Sequence, residues 1–107
     1  MVTRLRRRGR SSLDAFAALA DPTRRAIVEL LWAGEELTAG AIAERFPRLT
    51  RTAVSKHLRV LRTAGVAVAR AEGRTRRYAL DTRSLGAIDA WCERYRASWQ
   101  RRLAVVA

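Results

Sequence analysis

Reactive side chains are scarce in this chain. It holds one histidine, His57, and one cysteine, Cys92. No pair of carboxylates is placed for general acid–base work, and no glycine-rich loop stands where it could cradle a nucleotide phosphate. A single cysteine also excludes an internal disulfide and a cysteine-based zinc site. Enzymatic chemistry is therefore not expected, and no metal or cofactor is called for.

The abundant chemistry is that of arginine. The 107 residues carry 22 Lys or Arg against 10 Asp or Glu, a formal net charge of +12. Lys56 is the only lysine. A guanidinium can bond phosphate or guanine through two parallel donors, which an ammonium cannot do. Genomic codon bias accounts for arginine over lysine, but not for where the charge lies. Residues 1–11 hold Arg4, Arg6, Arg7, Arg8 and Arg10 with no acid. Residues 12–44 are acidic, with Arg24 and Arg25 outnumbered by Asp14, Asp21, Glu29, Glu35, Glu36 and Glu44. Residues 45–77 hold Lys56 and nine arginines against Glu72 alone. Such clustering is the electrostatic footprint of a nucleic-acid binder.

The elements that must position this charge can be read from caps and periodicity. A first helix starts near Ser12, with Leu13, Phe16, Ala17 and Ala20 at helical spacing. Asp21-Pro22 breaks it and starts a second helix over 22–33, since Asp is a good cap and Pro a good first residue. Thr38 caps a third helix over 39–46, and Thr50 caps a fourth over 51–64. Leu37 with Ile42, and Leu49 with Val54, are spaced as hydrophobic staples. Gly65 closes the fourth helix. Residues 66–72 alternate apolar and polar as a strand with one buried face, Gly73 marks a turn, and 76–80 return. Asp81 or Thr82 caps a last helix over 83–103. The expected fold is mainly α (α+β): a winged helix-turn-helix of five helices, with one β-hairpin wing between the fourth and fifth. Residues 12–104 form this single domain and residues 1–11 a disordered basic tail. No apolar run reaches the ~18 residues of a membrane span.

Function is placed on the fourth helix and the hairpin. Val54, Leu58 and Leu61 make the inward stripe of that helix. Arg51, Thr52, Ser55 and Lys56 lie off it in the N-terminal turns, which in a helix-turn-helix enter the major groove. Arg59 and Arg62, further along, suit contacts with the DNA backbone. His57 sits on the edge of the stripe, and both packing and a DNA contact are open to it. Arg74, Arg76 and Arg77 arm the wing for phosphates or the adjacent minor groove. The tail arginines either track a minor groove or only solubilise.

On the last helix Leu85, Ile88, Cys92, Tyr95 and Trp99 are spaced 3, 4, 3, 4, a heptad-like seam suited to a second copy. Trp91 and Leu103 widen it. Cys92 reads either as a packing residue or as a redox switch across a dimer axis.

The stretches FAALADPTRRAIVELL (16–31), TAVSKHLRVLRTAGV (52–66) and GRTRRYAL (73–80) together resemble the ArsR/SmtB family of winged-helix repressors, over roughly residues 13–100. The resemblance implies a bacterial, cytoplasmic homodimer, nucleoid-associated when bound to DNA. Its interface would be formed by the first and last helices, here Leu13, Phe16, Leu85, Ile88, Trp91, Cys92, Tyr95 and Trp99. Double-stranded DNA would be its partner, in the form of a palindromic operator. The metal-sensing members carry two cysteines where this chain reads Glu36, Leu37, Thr38, Ala39, Gly40. Others carry four ligands where it reads Asp81, Arg83, Arg94 and Ala97. The chain thus resembles members without a metal site, and the sequence names no small-molecule inducer. Two other readings are a nonspecific architectural DNA-binding protein and a redox-responsive repressor acting through Cys92.

Overall fold

The structure, a computed structural model, describes residues 15–106. Leu13 and the five tail arginines lie outside the described residues. Helix α1 is described over residues 15–18, and Ala15 and Ala18 are buried. Then come α2 (Pro22–Leu31), β1 (Leu37–Thr38), α3 (Ala39–Glu44) and α4 (Arg51–Thr63). Strands β2 (Ala67–Glu72) and β3 (Thr75–Leu80) and helix α5 (Thr82–Val106) complete the order. The strands form one antiparallel sheet in the order β1-β3-β2.

The α1–α2 junction shows what the DPTRR segment does. The Asp21 carboxylate accepts the Arg24 amide at 3.0 Å, and Pro22 occupies the first turn, where a missing amide costs nothing. Arg24 and Arg25 then reach back to the end of α1. Arg24 Nε donates to the Ala18 carbonyl at 2.6 Å, and Arg25 Nη1 donates to those of Leu19 and Ala20 at 2.7 and 3.1 Å. Orphan carbonyls at a helix end need such partners. Neither arginine was singled out in the sequence, because nothing there shows that the two helices meet at this angle.

Helix boundaries fall close to those expected, with small corrections. Helix α2 ends at Leu31 rather than 33, and α3 ends at Glu44 rather than 46. In both, the last turn tightens: Trp32 and Phe46 donate to carbonyls three residues back, at Glu29 and Ala43. The residue before Pro47 also disfavours continued helix. Thr38 and Thr50 cap as expected, accepting the amides of Ala41 and Ala53 at 3.1 and 3.0 Å. Helix α4 closes through paired bonds from Gly65 to Arg62 and from Val66 to Leu61. Gly65 sits at φ +80, as this closure demands. Of the two candidates for the α5 cap, Asp81 serves, accepting the Arg83 amide at 3.1 Å.

The core is built where these elements cross. Ile27 and Leu31 of α2, Ile42 of α3, and Val54, Leu58 and Leu61 of α4 are fully buried against Val66, Ala67 and Tyr78. No polar or charged side chain is buried among the described residues. Helix α5 differs from the rest. It runs 25 residues, yet none of its described side chains is buried. Leu85 and Ile88 pack on the edge of the core, and the remainder extends beyond it. The radius of gyration is 16.2 Å, against roughly 13 Å for a compact chain of this length.

Candidate nucleic-acid interface

Helix α4 owes its orientation to burial. Val54, Leu58 and Leu61 recur at spacings of four and three, so one stripe enters the core. The opposite face is left outward. Arg51, Thr52, Ser55, Lys56, Arg59 and Arg62 are all exposed, as the sequence reading required. The first four stand on the N-terminal turns. Arg45 and Arg48, which that reading counted only as bulk charge, are exposed on the α3–α4 connection leading into α4. His57 is half-buried on the flank facing the α1–α2 junction. The Asp21 carboxyl is held below its ordinary value chiefly by the Arg24 amide, with help from the charges of Arg24 and His57.

The wing is a hairpin in strict register, from Ala67 opposite Leu80 to Glu72 opposite Thr75. Its turn is Gly73-Arg74. Only Gly73 has a positive φ, +62, the pattern of a type II′ turn. Arg74 thereby occupies the tip. The structure divides the three wing arginines between two faces. By the period of two, Arg76 shares the face of the buried Tyr78, whereas Arg77 lies on the reverse face opposite Arg70.

On that reverse face Arg77 is not free. Its Nε donates to Glu72 at 2.6 Å, and its Nη1 reaches the Glu36 carbonyl at 3.4 Å. Arg70 donates to the Glu36 carboxylate and, at 3.5 Å, to Glu72. The Arg77 contact depresses the Glu72 carboxyl below its usual range, and the Glu36 contact raises Arg70. This network ties the wing to the segment before β1. Sequence reasoning missed it because Glu36 and Arg70 are 34 residues apart. It also missed β1, since a two-residue strand has no periodicity and exists only through its pairing with Tyr78 and Arg77.

A second exposed surface faces elsewhere. Phe16 of α1 and Trp91, Tyr95 and Trp99 of α5 form one aromatic cluster. Trp91 lies 5.9 Å from Phe16, 5.4 Å from Tyr95 and 5.3 Å from Trp99, between ring centroids. Yet these four rings keep 37–43% of their surface exposed, and Leu103 keeps 67%. Cys92 is half-buried beside them. Among the described residues no three His, Cys, Asp or Glu side chains gather as metal ligands. None of the described helices is long and apolar enough to cross a membrane.

Comparison with known proteins agrees with this arrangement. Residues 19–69 match a helix-turn-helix domain family. The chain is 45% identical over 94 residues to the HTH-type transcriptional regulator Rv2034 of Mycobacterium tuberculosis, covering 88% of this chain and 83% of that one. It is 41% identical over 69 residues to the transcriptional repressor SdpR of Bacillus subtilis, covering 64% and 74%. An ArsR-like transcriptional regulator from Rhodococcus sp. RHA1 superposes with a TM-score of 0.69 at 34% identity, over 90% of this chain and 89% of its own. A possible transcriptional regulator for arsenical resistance superposes with a TM-score of 0.74 at 38% identity, over 88% and 96%. The protein carries a helix-turn-helix DNA-binding domain and is a regulator of transcription rather than an enzyme. An outward basic face on the second helix of a helix-turn-helix, a hairpin wing beside it and these relatives together place the chain in the ArsR family of winged helix-turn-helix transcriptional regulators.

Proposed function

We propose that this regulator is a sequence-specific repressor that binds a palindromic operator as a homodimer. The outward face of α4 carries the reading: Arg51, Thr52, Ser55 and Lys56 of its first two turns are exposed while its apolar stripe is locked into the core. Thr52, Ser55 and Lys56 would meet base edges, and Arg59, Arg62 and the wing would meet the backbone. The tail arginines would add phosphate contacts. Repression is supported by the similarity to SdpR, a repressor by name. A homodimer is supported by the exposed aromatic face of α1 and α5, and it would match a two-fold operator. Such a protein acts on the chromosome, in the cytoplasm.

The test selects bound sequences from randomised duplexes and compares the selected site with random DNA at fixed salt. A repressor shows a large affinity ratio, about 10³ or more. Ser55→Ala and Lys56→Ala should reduce binding to the selected site more than to random DNA. Equal losses on both, or no selected sequence at all, would leave a nonspecific architectural binder instead.

A further inference from the structure

Between the wing and the start of α4 lies a concave pocket lined by Arg51, Arg74, Arg76, Tyr78 and Ala39. Three guanidiniums and no acid line it. The wing's acid, Glu72, and the neighbouring Glu36 are on the reverse face, engaged with Arg70 and Arg77. Arg51 does not extend from the tip of α4. Its guanidinium lies over Gly40 of α3, with Nη2 3.5 Å from where a Cβ on that residue would stand. At that distance the guanidinium lies close over α3, where even a Cβ would meet it in ordinary van der Waals contact. Arg74 and Arg76 approach from the other side because the type II′ turn sets one at the tip and the pleat turns the other toward the helices.

We propose that Arg51, Arg74 and Arg76 close together on one phosphate of the DNA backbone, so that a single anion bridges recognition helix and wing. Of the two partners open to a cation at the start of the helix, guanine and phosphate, Arg51 then takes the phosphate. Three like charges converging without a counter-charge repel one another, and the single negative charge of a phosphodiester, shared by its two non-bridging oxygens, relieves this while accepting from the guanidinium forks. Specificity falls to Thr52, Ser55 and Lys56, while the clamp fixes the angle at which the helix enters the groove. The assignment rests on the DNA-binding reading above.

The counterion-release slope separates one shared phosphate from three. Binding of the full chain to a random-sequence duplex is measured against salt for the wild type, each single alanine variant and the triple variant. Each phosphate neutralised contributes a slope of about 0.9. A shared phosphate predicts that the triple variant loses about 0.9 per protomer, with the second and third substitutions adding little to the first. Three separate contacts predict a loss of about 2.7 per protomer with additive single effects, which overturns the clamp. So does an Arg51→Ala variant whose loss is confined to the selected site. All three residues are surface-exposed, and an unchanged helical circular dichroism spectrum confirms that the variants fold. If the wild type binds no duplex, the DNA-binding reading fails instead of the clamp.

Discussion

Replacing Trp99 by glutamate should abolish the proposed homodimer without unfolding the protomer. Trp99 keeps 41% of its surface exposed although it touches Trp91 and Tyr95. For a side chain of roughly 250 Å², this leaves about 100 Å² for a partner to cover. Phe16, Trp91, Tyr95 and Leu103 offer comparable areas, so the face amounts to roughly 500 Å² per protomer and about 1,000 Å² for a pair. That reaches the lower bound of a specific interface before any flanking residue is counted. Two copies of Trp99 contribute about 200 Å², worth up to about 5 kcal/mol of gross burial. Side-chain ordering lowers the realised amount. The alanine variant should therefore weaken association by one to three orders of magnitude, at about 1.4 kcal/mol per tenfold. Glutamate adds a carboxylate that the interface would have to desolvate, and should leave a monomer at micromolar concentration. Sedimentation equilibrium over a dilution series reads the association constant. Thermal unfolding followed by circular dichroism shows that the protomer survives. A Trp99→Glu protein that is folded and dimerises as tightly as the wild type would refute the assignment of this face.

Two further outcomes test the frame that holds the site. Leu58→Ala removes a fully buried side chain beneath the outward face of α4, and should cost about 2–5 kcal/mol in urea unfolding; a near-neutral result would mean that α4 is not anchored by its stripe. Asp21→Asn keeps a capping acceptor but no longer titrates. Because the folded-state Asp21 carboxyl is held below its ordinary value of 3.8, its ionised cap stabilises above that value and the benefit fades as pH falls through the depressed one. The melting temperature of the variant should accordingly fall less than that of the wild type between about pH 5 and pH 3; parallel curves would remove Asp21 as an acid-sensitive contact.

Much of the architecture was legible because its signals are local. A threonine or aspartate cap acts on amides two or three residues away, a glycine closure acts within one turn, and an apolar stripe repeats within a single helix. Hence α4, its caps, its buried Val54, Leu58 and Leu61 and its outward cations could be read directly, as could the hairpin turn at Gly73. Contacts between distant segments left no such trace. The return of Arg24 and Arg25 to the end of α1, the tie from Glu36 to Arg70, and the two-residue strand at Leu37–Thr38 depend on how elements meet.

For the arginines, the gathering of charge in residues 45–77 follows from residue order along the chain alone. Tertiary structure decided what each one faces. Arg76 and Arg77 are adjacent in sequence, yet the pleat sends one toward the recognition helix and the other to Glu72 on the reverse side. Arg51 begins α4, yet its guanidinium lies over Gly40, because α3 passes close beside the start of that helix. A sequence records how many charges a surface holds; only packed backbones set the directions in which those charges converge.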